Sequence, residues 1–189
     1  MTTKLTYFDF DGSRGMECRV ALRLAGVAFE DVRLAREQWA ALKPSSPYGA
    51  MPILEHEGRT LAQSNAILRF IGASYGLHPK DAWTAAEHDA LMDSVEELRN
   101  KLPGQGLSDE AKKVAREAFA AGWLTGWANT VSKRIRGPLL EGEAIHVADV
   151  KLYVIVRSLL SGTYGHIPPS HFDAWPALAA HQAAVAKRL

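Results

Sequence analysis

Residues 49–65 read GAMPILEHEGRTLAQSN. Pro52 heads the apolar run PIL, Gly58 marks a turn, and Gln63-Ser64-Asn65 stands where a new pattern begins. PILEH and TLAQ, on either side of EGR, read as a hairpin. The stretch from Ser64 to Tyr75 reads as a helix that Gly76 closes. A plain hairpin needs neither a proline at its head nor a serine at its foot. X-Pro bonds take the cis form at modest cost, and a cis proline usually serves a local geometric need. The alternative is a proline that simply opens an edge strand. Ser64 occupies a position that favours an N-cap, and the free N–H groups of a helix start suit an anion equally well.

Upstream, TKLTYFD at 3–9 is rich in Thr, Leu and aromatic residues and reads as a strand. FDGSRG, with two glycines, reads as a loop. From Glu17 the spacing of Val20, Leu22, Leu24 and Ala25 predicts a helix that Gly26 ends. FEDVRL at 29–34 is a second strand, and 36–43 forms one or two helical turns carrying Trp39. Pro44 and Pro47 break the chain. The order β-α-β-α-β-β-α over 1–76 predicts a mixed four-stranded sheet with helices packed on it.

Downstream, LHPKDA at 77–82 is a linker, and no strand alternation follows it. Leu91, Val95, Leu98 and Leu102 keep near-helical spacing through AWTAAEHDALMDSVEELRNKL. PGQGLSDE is a break, with Ser108 as N-cap. EAKKVAREAFAAGWLTGWANTVSKRI reads as one long helix stopped by Gly137-Pro138, with Trp123 and Trp127, four apart, in its core-facing stripe. VADVKLYVIVRSLLSG and the tail from Trp175 supply two more helices. The expected organisation is a small α/β domain over 1–76 and an all-helical domain over 83–189.

Composition narrows the function classes. Hydrophobic residues make up 47% of the chain, enough for a real core. The 22 basic and 21 acidic residues nearly cancel, leaving a net charge of +1 and no bulk attraction to nucleic acid or an anionic membrane. LYVIV at 152–156 is too short to span a bilayer, and MTTKLTYFDF shows no signal-peptide pattern. Cys18 is the lone cysteine, so no internal disulfide forms; this fits a reducing, cytoplasmic compartment. The seven histidines show no metal-ligand spacing, and no metal is expected.

KLTYFDF, MPIL and QSN, in this order and spacing, resemble the cytosolic glutathione S-transferases of the tyrosine type, nearest the sigma class. QWAALKPSSPYGAMPIL and LAQSNAILRFIGASYG match that class's middle segment almost position for position. HVADVKL resembles the start of a buried helix in the family's second domain. The resemblance spans nearly the whole chain. It implies a thioredoxin-like N-terminal domain joined to an all-α C-terminal one, and an enzyme that uses glutathione as co-substrate with no cofactor.

The resemblance also implies roles. Pro52 matches the family's cis proline, whose turn offers the Met51 backbone to the cysteinyl unit of glutathione. Ser64 and Gln63 match the binders of its γ-glutamyl end. Trp39 and Lys43, four apart on a short helix, reach its glycine carboxylate. Ala50 stands where similar sequences often carry Lys or Gln, so one donor is missing.

Glutathione reacts as a thiolate, and a free thiol is mostly protonated at neutral pH. Tyr7 matches the family's tyrosine, whose phenol donates a hydrogen bond to the sulfur; otherwise it is a core strand residue. DFDGSRGME is about two residues longer than in similar sequences and sets Ser13 and Arg14 beside the first helix. Serine-type members use a hydroxyl there, helped by the helix dipole, so Ser13 rivals Tyr7. As a plain structural residue Ser13 is an N-cap. Arg14 supports the thiolate in either scheme, or is a surface cation. Cys18 lies inside the helix without a CxxC partner and reads as a buried thiol. Asp149 matches the acid of a capping box headed by His146.

An acceptor site between the domains, walled by Phe8, Phe10, Leu98 and Leu102, would select a small apolar electrophile. The resemblance further implies a homodimer. Asp89, Asp93 and Glu97 lie on one helical stripe, and Glu97 matches the acid that crosses to the partner's γ-glutamyl amino group. Asp89 reads as part of a solvated face. Conjugation of glutathione to an electrophile is the leading function. A transferase-fold binding protein, or a glutathione-dependent isomerase or peroxidase, are the alternatives.

Overall fold

The computed structural model describes residues 2–189; Met1, at the head of the first expected domain, lies outside them. The first unit is built on a four-stranded sheet. Its elements are β1 (Thr3–Phe8), α1 (Ser13–Leu24), β2 (Glu30–Leu34), α2 (Arg36–Leu42), β3 (Ile53–His56), β4 (Arg59–Ala62) and α3 (Ser64–Tyr75). The strand order is β2-β1-β3-β4. β1 and β2 run parallel, joined by α1, while β1–β3 and β3–β4 are antiparallel. This is the thioredoxin-like sheet expected from the sequence.

Alternation sorts the two faces of the sheet. Leu5, Tyr7 and Leu54 are buried on one face, while Lys4 and Glu55, neighbours in register on the other, form a 2.7 Å ion pair. The β3–β4 turn needs left-handed backbone at both Glu57 (φ +50) and Gly58 (φ +76), as a two-residue hairpin does. α3 packs beside α1 and buries Ile67, Leu68 and Ile71 completely. It ends, as expected, on Gly76 in the left-handed region (φ +74).

One helix start and one helix cap differ from expectation. α1 begins at Ser13, four residues before Glu17. Gly12 is its extended cap, and the Met16 N–H donates to the Gly12 carbonyl at 3.3 Å. Ser13 is therefore not the N-cap; it is the first helical residue, with φ +53. At α3 the cap is Gln63 (φ +74, ψ 114), and Ser64 is the first helical residue, buried. The cap falls one position before the serine because the chain leaves β4 at Ala62 and must turn at once.

The helical part contains α4 (Ala82–Lys101), α5 (Asp109–Phe119), a π-helical turn (Ala120–Leu124), α6 (Thr125–Ser132), α7 (Val147–Leu160) and α8 (Pro176–Ala186). Ser108 caps α5 as expected, accepting from the Ala111 N–H at 3.3 Å. The long helix expected through Ile135 is divided by the π turn, where Thr125 Oγ1 donates to the Ala120 carbonyl at 2.9 Å, and ends at Ser132. The wide turn breaks the 3.6-residue period, so Trp123 and Trp127 part company. Trp127 is buried, its indole N–H donating to Ser94 Oγ at 3.3 Å. Trp123 is half-buried and stacks on Phe119 at 5.6 Å, which corrects its assignment to the core.

α7 is mostly apolar and almost wholly buried, with Asp149 and Lys151 buried along with its apolar side chains. Its start is tied down by the His146 N–H donating to Asp149 at 2.9 Å, the return half of a capping box. The fully buried Lys151 pairs with Glu96, which also accepts from Arg99 at 2.8 Å. The chain divides into two compact units. One runs to Ala86 and takes in His146–Val150 and Leu189; the other comprises Glu87–Ile145 and Lys151–Arg188. Among the described residues no helix is long and apolar enough to cross a membrane.

Candidate functional site

Sheet register gathers the candidate residues of the first unit. β1 and β3 pair as Leu5 with Leu54 and Thr6 with Ile53, so the next step sets Tyr7 level with Pro52. β3 and β4 pair Ile53 with Ala62, so Pro52 is level with Gln63. On the other side Tyr7 pairs with Arg33. Tyr7, Pro52 and Gln63 therefore form one row across one end of the sheet, and Ser64 opens α3 at the end of that row.

The Met51–Pro52 peptide is cis. Pro52 is buried and Met51 half-buried, one residue before the β3 ladder begins at Ile53. The Met51 backbone thus lies outside the sheet's hydrogen bonding. Gln63 is exposed and carries a left-handed backbone, a state few non-glycine residues adopt and one that concentrates at functional positions.

Trp39 belongs to the same end. Its ring meets Phe8 edge-on at 6.4 Å, with Phe8 next to Leu34 in register. α2 is held by Gln38, whose side-chain oxygen accepts from the Ala35 N–H at 2.7 Å. Lys43 is exposed just past α2, and its Cε lies 3.6 Å from where a Gly49 β-carbon would be, so its stem crosses the loop that leads to Met51.

Tyr7 is only 5% exposed. Its ring touches Phe8 (5.6 Å) and Phe10 (5.7 Å). It also lies on the first turn of α1, where a β-carbon on Gly15 would stand 2.0 Å from Tyr7 Cδ1. Ser13 and Arg14, half-buried, sit on that same turn. The structure thus packs the Tyr7 ring against the turn that carries Ser13. Cys18 is fully buried, in keeping with its reading as a buried thiol.

Of the four expected wall residues, Phe8 and Phe10 line a groove of about 570 Å³ with Asp9, Leu34, Ala35 and Arg36. Phe10 is 46% exposed there. Leu98 has no exposed surface and serves the core, so its place on a wall is corrected; its heptad-like spacing already marked it as core. Leu102 is half-buried. Glu97 is exposed on α4, 3.6 Å from Lys101. Asp93 is exposed and Asp89 half-buried.

Sequence reasoning passed over a charge network at the β1–α1 corner. Arg19, fully buried, donates to Asp31 (2.8 Å) and to the carbonyls of Phe10 (3.1 Å) and Phe8 (3.3 Å). Arg33 donates to the other Asp31 oxygen (2.9 Å), to Asp9 (3.2 Å) and to Asp11 (3.0 Å). Burial pushes the Asp31 carboxyl upward, but the hydrogen bonds from Arg19 and Arg33 outweigh it and hold the group below its ordinary 3.8. Two signals were present: Arg19 interrupts a buried apolar stripe, and Asp31 and Arg33, two apart on a strand, share a face.

Comparison with known proteins gives a consistent picture. Residues 3–73 match the family model described as "Glutathione S-transferase, N-terminal domain". Over 187 residues the chain is 30% identical to probable glutathione S-transferase 7 of Caenorhabditis elegans, covering 95% of this chain and 88% of that one. It is 37% identical to a glutathione S-transferase of Anopheles gambiae over 146 residues, 74% of this chain and 71% of the other. Among solved structures, prostaglandin synthase D of Nilaparvata lugens is similar with a TM-score of 0.85 at 30% identity, covering 99% of this chain and 93% of that one.

Proposed function

Because the chain belongs to the glutathione S-transferase family, we propose that it binds glutathione along the row Tyr7–Pro52–Gln63 and conjugates the tripeptide's thiolate to an apolar electrophile. The register that aligns these three positions is the observation that carries this reading. The Met51 backbone, outside the ladder, pairs with the cysteinyl unit. Gln63 and the Ser64 hydroxyl, with the N–H groups at the start of α3, hold the γ-glutamyl carboxylate. Trp39 and Lys43 take the glycine carboxylate. The cysteinyl sulfur then falls at the end of β1, beside the Tyr7 phenol. A hydrogen bond donated by that phenol stabilises the thiolate and lowers the thiol pKa. Arg14, on the adjoining turn, adds positive potential.

The electrophile enters over Phe8 and Phe10, whose rings favour an apolar acceptor. A second copy of the chain supplies Glu97 to the γ-glutamyl amino group. The fully buried Cys18 thiol fits a reducing, cytoplasmic setting.

A second reading is a glutathione-dependent isomerase, favoured by the likeness to prostaglandin synthase D of Nilaparvata lugens. The same activated thiolate serves both. Calorimetry with glutathione tests the shared binding step. The double variant Gln63→Ala/Ser64→Ala is expected to weaken binding by about 1.5–3 kcal/mol, roughly ten- to hundredfold in Kd. Unchanged affinity would contradict the site. Assays with a chlorinated nitroarene and with a lipid endoperoxide then separate transferase from isomerase.

A further inference from the structure

We propose that Arg19 and Asp31 are positioning residues for Tyr7: the buried guanidinium, locked by Asp31, holds the β1–α1 corner in the arrangement that presents the phenol to the bound thiol. This rests on the role proposed above for Tyr7.

The Arg19 guanidinium binds three points, and two of them are carbonyls on either side of Asp9, at Phe8 and Phe10. It therefore fixes the backbone immediately after Tyr7. Its Cζ also stands 5.9 Å from the centroid of the Tyr7 ring, over its face, within cation–π range. The Gly15 contact leaves that ring no room to move toward the helix. The corner is gripped from outside as well, since Asp31 shares its second oxygen with Arg33, and Arg33 reaches Asp9 and Asp11.

Stability alone is a poor reason for this arrangement. Burying a guanidinium is costly, and well-packed apolar residues often stabilise as much as a buried ion pair. What apolar residues cannot do is bind two carbonyls and a carboxylate in one plane. Lysine keeps the charge but not that fork.

The test is the ionisation of bound glutathione, followed by thiolate absorbance against pH, in the wild type, Arg19→Lys, Asp31→Asn, Tyr7→Phe and Glu55→Gln. Glu55 pairs with Lys4 on the opposite face of the sheet and controls for loss of an ion pair. Arg19→Lys and Asp31→Asn are expected to raise the thiol pKa by about one unit, a tenfold loss of thiolate at any pH below it. They should lower kcat about tenfold while the KM for glutathione stays within about twofold. Glu55→Gln should leave the thiol pKa unchanged.

The pKa is read on whatever fraction binds glutathione, so a loss of folded protein does not imitate the effect. If Arg19→Lys does not fold, Asp31→Asn decides. A wild-type thiol pKa in the positioning variants, with only a lowered Tm, would overturn the inference, provided that Tyr7→Phe raises it. A wild-type pKa in Tyr7→Phe would overturn the role of Tyr7 and this inference together.

Discussion

The Cα of Gly15 lies so close to the ring of Tyr7 that a β-carbon there would stand 2.0 Å from Cδ1, 2.4 Å from Cγ and 2.8 Å from Cε1. Those atoms belong to a buried ring already in contact with Phe8 and Phe10. Gly15→Ala must therefore displace the ring or the first turn of α1. Overpacking of this kind costs about 1–3 kcal/mol. The variant is expected to melt several degrees lower and to lose conjugation activity beyond its loss of folded protein. Activity and Tm both at wild-type levels would show that the corner adapts freely.

The Asp31 carboxyl provides a pH test. Its folded pKa is held below the ordinary 3.8 by Arg19 and Arg33 against the effect of burial. A depressed folded pKa contributes stability that is fully present above the unfolded value and is lost as pH falls through the folded one. Denaturant unfolding of wild type and Asp31→Asn should therefore show a gap that is constant from about pH 7 to pH 5 and narrows below about pH 4. A gap that stays constant down to about pH 2 would mean that the pair's ionisation contributes nothing.

Much of this was legible in the sequence, and what was missed has physical reasons. α3 runs over Ser64–Tyr75 with Gly76 behind it, as read, because period and stop signal agree there, although the cap is Gln63 and not Ser64. The cis proline and the mixed four-stranded sheet were likewise recoverable, the first through family resemblance. The start of α1 was not. Gly12 and Gly15 look like loop glycines in sequence, yet one caps the helix and the other makes room for an aromatic ring from β1. That contact joins residues whose proximity no local pattern encodes. Arg19 was overlooked for the same reason, since its partners come from the β1–α1 corner and from β2. Trp123 was misassigned because the π turn adds a residue that a 3.6-residue period does not anticipate.

Glu97 sets the prediction about assembly. Its side chain is 56% exposed and its neighbour Lys101 is 3.6 Å away, a surface pair of the kind that holds a side chain weakly. Reach to glutathione on a second copy is therefore open to it. Light scattering should give the mass of two chains, and dilution should lower mass and activity together. Glu97→Gln should weaken glutathione binding without changing the mass. A one-chain mass with full activity would remove the partner's contribution.

The central claim is that the Tyr7 hydroxyl, and not that of Ser13, stabilises the glutathione thiolate. The two residues stand at the same corner, Tyr7 near the end of β1 and Ser13 on the first turn of α1. The direct measurement is the thiolate absorbance of bound glutathione against pH in Tyr7→Phe and Ser13→Ala. The account predicts that Tyr7→Phe raises the thiol pKa by at least about one unit, worth about 1.4 kcal/mol, with a matching fall in kcat. It predicts that Ser13→Ala leaves the titration near wild type. A large shift in Ser13→Ala with none in Tyr7→Phe would contradict it and assign the chemistry to the serine.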